Sequence, residues 1–284
     1  MKIAELFKKK MTLSFEVFPP KNETPMDGVL NTLSRLYKFK PDFISCTCGA
    51  GGSDRGRNIE VCSEVIKSGN TVMPHFTCIG SSRDDIKKTG KEYVDMGIEN
   101  TLAIRGDIPD GWECTRGDFS HADNLIGFLK HEFPGMCVAA AGYPEKHLTA
   151  PSPEADITRL RSKQDKGAEF IITQLCHDVP AFERFLIKIR KAGLTVPVVA
   201  GIMPALARDP IIRMTIFNGC SIPAELAAIL GKYQNDPEGF SKAGAEYTVL
   251  QIHRYINAGV NGLHLYSMNK WEKLSGILEA AGIA

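Results

Sequence analysis

The sequence has no C-x-x-C pair, although it contains eight cysteines. Structural zinc sites usually take cysteines paired at that spacing, so we predict no metal site. Five of the cysteines fall inside or at the end of apolar runs: Cys46, Cys48, Cys78, Cys137 and Cys176. A reduced cysteine in such a run acts as a small core residue, which is typical of a reducing compartment.

The chain also lacks an excess of charge and any long hydrophobic run. It has 34 Lys and Arg and 33 Asp and Glu, a formal net charge of +1. This balance gives no broad electrostatic field that would attract nucleic acid or an anionic membrane. No stretch approaches the roughly eighteen apolar residues of a membrane span, and residues 1–10 lack the apolar core of a signal peptide. We therefore expect a cytoplasmic protein that binds small molecules, with no nucleic acid and no membrane.

Eight short apolar runs are present, and they predict the fold. They cover residues 12–18, 42–48, 72–79, 100–105, 137–142, 169–175, 196–203 and 262–267. Stretches with helical spacing separate them, as repeated strand and helix units require. We predict an α/β fold, a (β/α)8 TIM barrel formed by residues 1–284 as one domain. A short N-terminal helix carrying Ile3, Leu6 and Phe7 should lie against the barrel, and residues 204–261 should hold at least two helices where a plain barrel has one.

Polar residues end several of these runs. The carboxyl ends of all strands in such a barrel meet at one rim, where barrel enzymes carry their chemistry. The polar ends are Ser14-Phe15-Glu16, Arg105-Gly106-Asp107 and Thr173-Gln174. This convergence predicts an enzyme.

Glu16 is the strongest candidate for acid catalysis. It lies between Phe15 and Val17, and a carboxyl group in apolar surroundings can keep its proton near neutral pH and serve as a general acid. The alternative is a glutamate that is paired with Lys or Arg or that points to solvent, and the spacing alone does not decide between them.

Two further features suggest a phosphate-bearing ligand. Gly106, between a cation and an anion, allows a ligand to approach the main chain, although an ordinary surface turn is the alternative. Asp156, Arg159 and Lys163 lie near i, i+3 and i+7 of a predicted helix and share one face, which is otherwise a solvated face. Because no G-x-G-x-x-G or G-x-x-x-x-G-K-[ST] motif is present, a dinucleotide would have to bind at the rim.

An ordered set of motifs resembles the bacterial methylenetetrahydrofolate reductases. The motifs are 14–20 (SFEVFPP), 74–78 (PHFTC), 105–107 (RGD), 140–147 (AAGYPEKH), 173–174 (TQ) and 201–204 (GIMP). The resemblance implies a flavin-dependent barrel that reduces 5,10-methylenetetrahydrofolate to 5-methyltetrahydrofolate through FAD, with NADH or NADPH as electron donor, and supplies methyl groups for methionine synthesis. It also implies a homo-oligomer, and we expect neither the C-terminal regulatory domain of eukaryotic relatives nor inhibition by S-adenosylmethionine.

The resemblance also implies roles for individual residues. Glu16 would be the general acid that opens the folate ring, and Asp107 would stabilise the resulting cation and tune the flavin. The implied flavin-binding residues are Thr47, His75, Arg105, Gly106, Asp107, His121, Ala122, Tyr143, His147, Ala150, Asp156, Arg159, Ser162 and Lys163. The implied substrate contacts are Glu16, Ala50, Asp107, Gln174, Met214 and Lys270.

Several positions depart from the family pattern. Arg159 and Ser162 stand where the family can carry Asn and Arg, and Met214 stands where an aromatic residue can stack on the ligand, so stacking would be weaker or supplied elsewhere. Lys270 replaces a frequent Arg and loses bidentate recognition of a carboxylate. Two alternatives stay open: a subunit that receives electrons from an iron–sulfur or zinc partner, as in acetogen relatives, and a folate-binding methyltransferase barrel without flavin.

Overall fold

Eight parallel strands close into a barrel in the computed structural model, which describes residues 1–21, 23–48, 55–109 and 111–283. Each strand pairs with the next along the chain, and the eighth pairs with the first. The strands are β1 (Thr12–Val17), β2 (Phe43–Cys46), β3 (Val72–Thr77), β4 (Asn100–Ile104), β5 (Cys137–Gly142), β6 (Phe170–Thr173), β7 (Val198–Ile202) and β8 (Gly262–Tyr266). The predicted TIM barrel is confirmed, and every strand lies within about two residues of its predicted bounds.

Ten α-helices of the described residues surround the strands. They are α1 (Asp27–Leu36), α2 (Arg55–Lys67), α3 (Arg83–Asp95), α4 (Ala122–Glu132), α5 (Pro153–Asp165), α6 (Val179–Lys191), α7 (Arg208–Phe217), α8 (Ala224–Lys232), α9 (Pro237–Asn257) and α10 (Trp271–Ala280). Three of them, α7 to α9, lie between β7 and β8, in agreement with the expected extra helices. None of the helices in the described part of the chain is long and apolar enough to cross a membrane.

Local sequence signals place several helix starts. Ser82, Ser152, Asp178 and Asp236 stand at the N-caps of α3, α5, α6 and α9, and each side chain accepts a backbone N–H of the first turn. The last three of these helices carry proline in their first turn, where its missing N–H leaves no bond unmade. These caps fix where each strand-to-helix loop ends.

The amino end of the barrel is closed by the predicted N-terminal helix, which is a 3₁₀ helix over Ile3–Lys8. Ile3 is fully buried, and the Phe7 ring lies 5.1 Å from the Phe170 ring inside the barrel. Leu6 is buried as well. Apolar packing therefore fills this end, and the opposite rim is left for a site.

A polar layer lies inside the barrel above this apolar packing. Ser14, Ser45, His75 and His264 are all buried and come from β1, β2, β3 and β8. Barrel interiors are usually filled by branched aliphatic residues. Four polar side chains in one layer therefore need partners, and they find them in one another and in Glu16.

Candidate active site

A cavity of about 490 Å³ opens at the carboxyl ends of the strands. Glu16 and Asp107, the two carboxyl groups predicted to carry the chemistry, both line it. Other predicted residues also line it: His75, Arg105, Gly106, Tyr143, His147, Gln174 and Met214. The structure thus brings together residues that lie up to about two hundred positions apart in the chain.

Glu16 is surrounded by histidines rather than by apolar groups alone. Its Oε2 lies 3.3 Å from His75 Nε2 and 3.7 Å from His264 Nε2. Burial by itself would raise the pKa of Glu16, but hydrogen bonds and positive charge from His264 and His75 outweigh it and lower the pKa to about 2. The apolar surroundings expected to keep Glu16 protonated are therefore not found: two imidazoles lie beside its carboxyl group and favour the ionised form.

His264 was not singled out from the sequence, yet it joins the polar layer to Glu16. It is fully buried, with Nδ1 2.8 Å from Ser14 Oγ and Nε2 3.3 Å from Ser45 Oγ. The Ser45 hydroxyl also lies 3.5 Å from His75 Nε2. A signal existed, because β8 closes against β1 in a barrel and pairs Ser14 with His264. Two imidazoles, two hydroxyls and one carboxylate thus form one connected polar group below the cavity.

Gly106 is required for a reason other than the one predicted. Its φ is +92°, and a Cβ there would collide with the side chains of Thr77 and Ile79. Internal packing therefore demands glycine, independently of any ligand. The turn directs Asp107 into the cavity, and Arg105 Nε donates to Gly106 O at 3.0 Å.

A second cavity of about 290 Å³ adjoins the first, and the two share Arg105, Tyr143 and His147. The predicted residues His121, Ala122, Ala150, Asp156, Arg159 and Lys163 also line it. The helical face predicted from Asp156, Arg159 and Lys163 lies on α5 and lines this space, although Arg159 is also exposed to solvent. The second cavity therefore has a cationic wall.

The electrostatics of the second cavity favour an anion. Lys163 is partly buried, and burial lowers its pKa to about 8; its Nζ donates to Ala141 O at 2.7 Å. The pKa values of His121 and His147 are lowered, first by burial and then by the charges of Arg159 and Arg105 respectively. The start of α4, which has no side-chain cap, also lines the cavity, and helix N-termini attract anions.

Three predicted ligand residues within the described part of the chain do not line either cavity. Ser162 donates to Asp123 Oδ2 at 2.8 Å, Thr47 lies after β2 with its N–H on Val17 O, and Lys270 is an exposed residue before α10. Ala50 lies outside the described residues. Asp123, which was not predicted from the sequence, is the buried carboxylate that binds Ser162. Its Oδ2 also accepts a hydrogen bond from Lys166 Nζ at 2.6 Å.

Gln174 is held in a fixed orientation at the first cavity. Its Oε1 accepts from Leu175 N at 2.8 Å, and its Nε2 donates to Asn218 Oδ1 at 2.9 Å. Asn218 in turn donates to Met214 O at 2.8 Å. The amide is therefore positioned before any ligand arrives, and one N–H of its NH₂ group is left for that ligand.

A larger groove of about 830 Å³ lies elsewhere, on the outer surface between α2 and α3. Its walls are ionic side chains such as Glu64 and Lys88 around Ile59 and Met96, and none of the predicted site residues line it. The rim cavities are the better candidate, because they join perturbed titratable groups to a concave surface. Among the described residues, no three His, Cys, Asp or Glu side chains are grouped to hold a metal ion.

Comparison with known proteins identifies the family. A family model described as methylenetetrahydrofolate reductase matches residues 2–282. Methylenetetrahydrofolate reductase 1 of Schizosaccharomyces pombe is 33% identical and aligns over 98% of this chain but 47% of its own length, so the chain spans about half of that relative. The 5,10-methylenetetrahydrofolate reductase of Salmonella typhimurium is 30% identical over 96% of this chain and 92% of its own length.

Solved structures with the same fold include one that covers almost the whole chain. It is an uncharacterized protein from Clostridium thermocellum, described as binding two copies of 5-methyl-5,6,7,8-tetrahydrofolic acid, with a TM-score of 0.66 over 98% of this chain and 96% of that chain. At 14% identity this likeness shows the fold alone. The family model and the bacterial relative carry the assignment, and they confirm the resemblance found in the motifs. The chain belongs to the methylenetetrahydrofolate reductase family.

Proposed function

We propose that this chain reduces 5,10-methylenetetrahydrofolate to 5-methyltetrahydrofolate with NADH or NADPH as electron donor and FAD bound at the rim. The observation that carries the proposal is the adjacency of two cavities. One contains Glu16, its two histidines and Asp107, and the other has a wall of cationic residues. Family membership supplies the substrate class.

A flavin dinucleotide would extend across both adjoining cavities, of about 290 and 490 Å³, with its pyrophosphate in the second. Lys163 and Arg159 would hold the pyrophosphate, because both cationic side chains line this cavity and a bound anion offsets the burial that disfavours the ammonium of Lys163. Tyr143 and His147, whose rings are 4.6 Å apart, belong to both cavities and would contact the part of the flavin nearest the substrate. When bound, FAD supplies a two-electron carrier that takes a hydride from the nicotinamide and gives it to the folate.

Side chains of the protein would deliver the proton that opens the folate ring. The N10–methylene bond of the folate breaks when N10 takes a proton, the bonding electron pair stays on N10, and the carbon becomes an iminium at N5 that can accept hydride. We infer that Glu16, which lies beside His75 and His264, passes the proton to N10. His75 lies nearer to Glu16 than His264 does. His264 connects Glu16 to the buried hydroxyls of Ser14 and Ser45.

Asp107 and Gln174 would stabilise and orient the substrate. A carboxylate beside the cavity favours the cationic iminium over the neutral closed ring. The free N–H of Gln174 can donate to a pterin acceptor without reorganisation, since Asn218 and Leu175 already fix the amide. Both effects act on the same bound ring.

The proposal is tested with purified protein and FAD. We expect a yellow protein that bleaches under anaerobic conditions when NADH or NADPH is added. A protein that binds no FAD under any reconstitution condition would contradict the proposal. If dithionite reduces the bound flavin but neither nucleotide does, the proposed electron donor is wrong. A partner subunit would then be the source of electrons.

A further inference from the structure

A buried carboxylate lies in the wall of the second cavity, among its cations. Asp123 is the second residue of α4 and is 4% exposed, and it lines the cavity together with Arg159 and Lys163. No ligand role was predicted for it from the sequence. A negative charge at this place opposes the binding of a phosphate, so its presence in the wall has another physical reason.

Asp123 is held in place by side chains at the end of α5. Its Oδ2 accepts hydrogen bonds from Ser162 Oγ at 2.8 Å and from Lys166 Nζ at 2.6 Å. Ser162 immediately precedes Lys163 in the chain, so these bonds fasten the start of α4 to the turn of α5 that carries Lys163. Asp123 Oδ1 has no hydrogen-bond partner among the described residues. Hydrogen bonds therefore compensate one oxygen of the carboxylate, and its remaining negative charge acts on the neighbouring cations.

The charge of Lys163 depends on the carboxylates around it. Burial lowers the pKa of Lys163, whereas Asp156 and Asp123 raise it. The cations, imidazoles and phenol that line the same space are Arg105, His121, Tyr143, His147 and Arg159. Asp156 lies on α5 itself and already accepts a hydrogen bond from His147 N at 2.9 Å. Asp123 is therefore the counter-charge that a neighbouring helix supplies to Lys163.

We propose that Asp123 is a positioning residue of the cofactor site, the counter-ion that keeps Lys163 charged before the pyrophosphate of the cofactor arrives. This inference rests on the proposed function for the identity of the anion. Without Asp123 the ammonium would lose its proton at a lower pH, and the cavity would bind a pyrophosphate more weakly from that pH upward. The carboxylate weakens the attraction for the anion slightly, but it extends to higher pH the range in which the cavity binds it.

Titration of Lys163 in the flavin-free protein tests this inference. NMR of protein labelled with ¹³C in its lysine side chains follows each ammonium group, and Lys163→Met identifies the signal of Lys163 by its loss. We expect a midpoint near pH 8 in the wild type. Asp123→Asn keeps the shape of the side chain without its charge and should lower the midpoint by about one pH unit. Asp165→Asn is the matched control: it removes the same charge from an exposed ion pair with Arg161 on α5 and should leave the midpoint nearly unchanged.

A second variant separates the charge of Asp123 from its fastening of α4 to α5. Lys166→Met removes the cation that competes for Asp123 together with one of the fastening bonds, and it should raise the midpoint of Lys163. If Asp123 were only a structural contact, both variants would disturb Lys163 in the same direction.

FAD binding provides an independent readout of the same charge. At pH 6, where Lys163 is charged in each protein, Asp123→Asn should bind FAD at least as tightly as the wild type, because a negative charge near the pyrophosphate has gone. The loss of affinity between pH 6 and pH 8 should be roughly fivefold greater in Asp123→Asn than in the wild type.

The outcomes separate the counter-ion role from the proposed function. If the midpoint of Lys163 in Asp123→Asn stays at the wild-type value, or if this variant binds FAD more weakly at pH 6, the counter-ion role is wrong. If Asp123→Asn does not fold, Lys166→Met decides, and an unchanged or lowered midpoint in that variant overturns the role. If the wild type binds no FAD, the proposed function is wrong, and the titration in flavin-free protein still decides whether Asp123 sets the charge of Lys163.

Discussion

Glu16 is the residue on which the proposed chemistry depends most directly. Glu16→Gln keeps the size of the side chain but removes a group that can pass on a proton. We expect reoxidation of the reduced flavin by methylenetetrahydrofolate to fall by about a hundredfold or more, because general acid catalysis contributes on that order. Flavin reduction by the nicotinamide nucleotide should stay near wild type. Anaerobic stopped-flow absorbance measures the two half-reactions separately.

A second variant keeps this test informative. His264→Gln should produce the same split to a smaller degree, since His75 lies nearer to Glu16, and His253→Gln on the outer surface should change neither rate. Equal loss in both half-reactions for Glu16→Gln would remove Glu16 from its proposed role. A folate half-reaction that Glu16→Gln leaves unchanged would remove it as well.

Lys163 gives the cofactor cavity a predictable pH dependence. Its pKa is lowered to about 8 by burial, below the value of an unfolded lysine, so the flavin-free folded protein loses this proton first. Folding stability of the flavin-free protein should therefore rise as pH increases from about 8 toward 10.5. A bound pyrophosphate favours the ammonium, so FAD binding takes up a proton and weakens above pH 8.

Calorimetry at several pH values measures this linkage. We expect the Kd for FAD to increase by up to about tenfold per pH unit above pH 8, and Lys163→Met to remove that dependence while it weakens binding at pH 7. An FAD affinity that stays flat between pH 7 and 9.5 in the wild type would show that Lys163 does not face the pyrophosphate.

Among the structural elements, the loop between β5 and α5 does most to shape the site. Lys146 stands in it with φ +82°, and its Nζ donates to the carbonyl oxygens of His147, Leu148 and Ala150 at 3.1, 3.4 and 2.7 Å. We expect Lys146→Met to weaken FAD binding by about tenfold, because the loop loses these charged hydrogen bonds.

A glycine variant separates the two features of Lys146. Lys146→Gly relieves the unfavourable positive φ but also removes the ammonium, so it should bind FAD as poorly as Lys146→Met. Lys242→Met, at an exposed position of α9, serves as control. Wild-type affinity in Lys146→Gly would mean that backbone conformation, and not the ammonium, organises the loop; FAD binding can be followed by flavin fluorescence quenching.

The elements themselves were largely predictable, and the reason is periodicity. Apolar runs between helical stretches located all eight strands, and polar N-caps mark where several helices begin. The environment of Glu16 was not predictable in the same way. Its partner His264 lies 248 positions further along the chain, and only closure of the barrel brings β8 beside β1. Alternation in one strand says which side chains point inward, but not which inward side chains meet.

At the scale of the whole molecule, the packed apolar residues and the residues proposed for chemistry lie at opposite ends of the barrel. Ile3 closes the amino end and is fully buried. Ile3→Ala should lower the free energy of unfolding by about 2–4 kcal/mol and leave both half-reactions unchanged. Ile187→Ala, at an exposed site on α6, should change the stability by less than about 0.5 kcal/mol. Urea unfolding provides the measurement, and a selective loss of folate reduction in Ile3→Ala would contradict this division.

The sequence predicted only some of the residues that share the site in the whole molecule. Motif order placed Glu16, Asp107 and Gln174 on one rim, and the structure finds all three lining one cavity. Ser162 was expected in the cofactor site, but it bonds to Asp123 instead, since α4 and α5 pack together there. No signal in the sequence indicated that Phe217 would line this cavity, because its exposure there depends on how α7 lies on the barrel.

The most direct test of a single catalytic rim is an anaerobic titration of the reduced, FAD-loaded protein with methylenetetrahydrofolate. One equivalent of the folate should restore the oxidised flavin spectrum and yield one equivalent of 5-methyltetrahydrofolate. A reduced flavin that the folate leaves unchanged would contradict the account, as would restored absorbance without methyl-folate product.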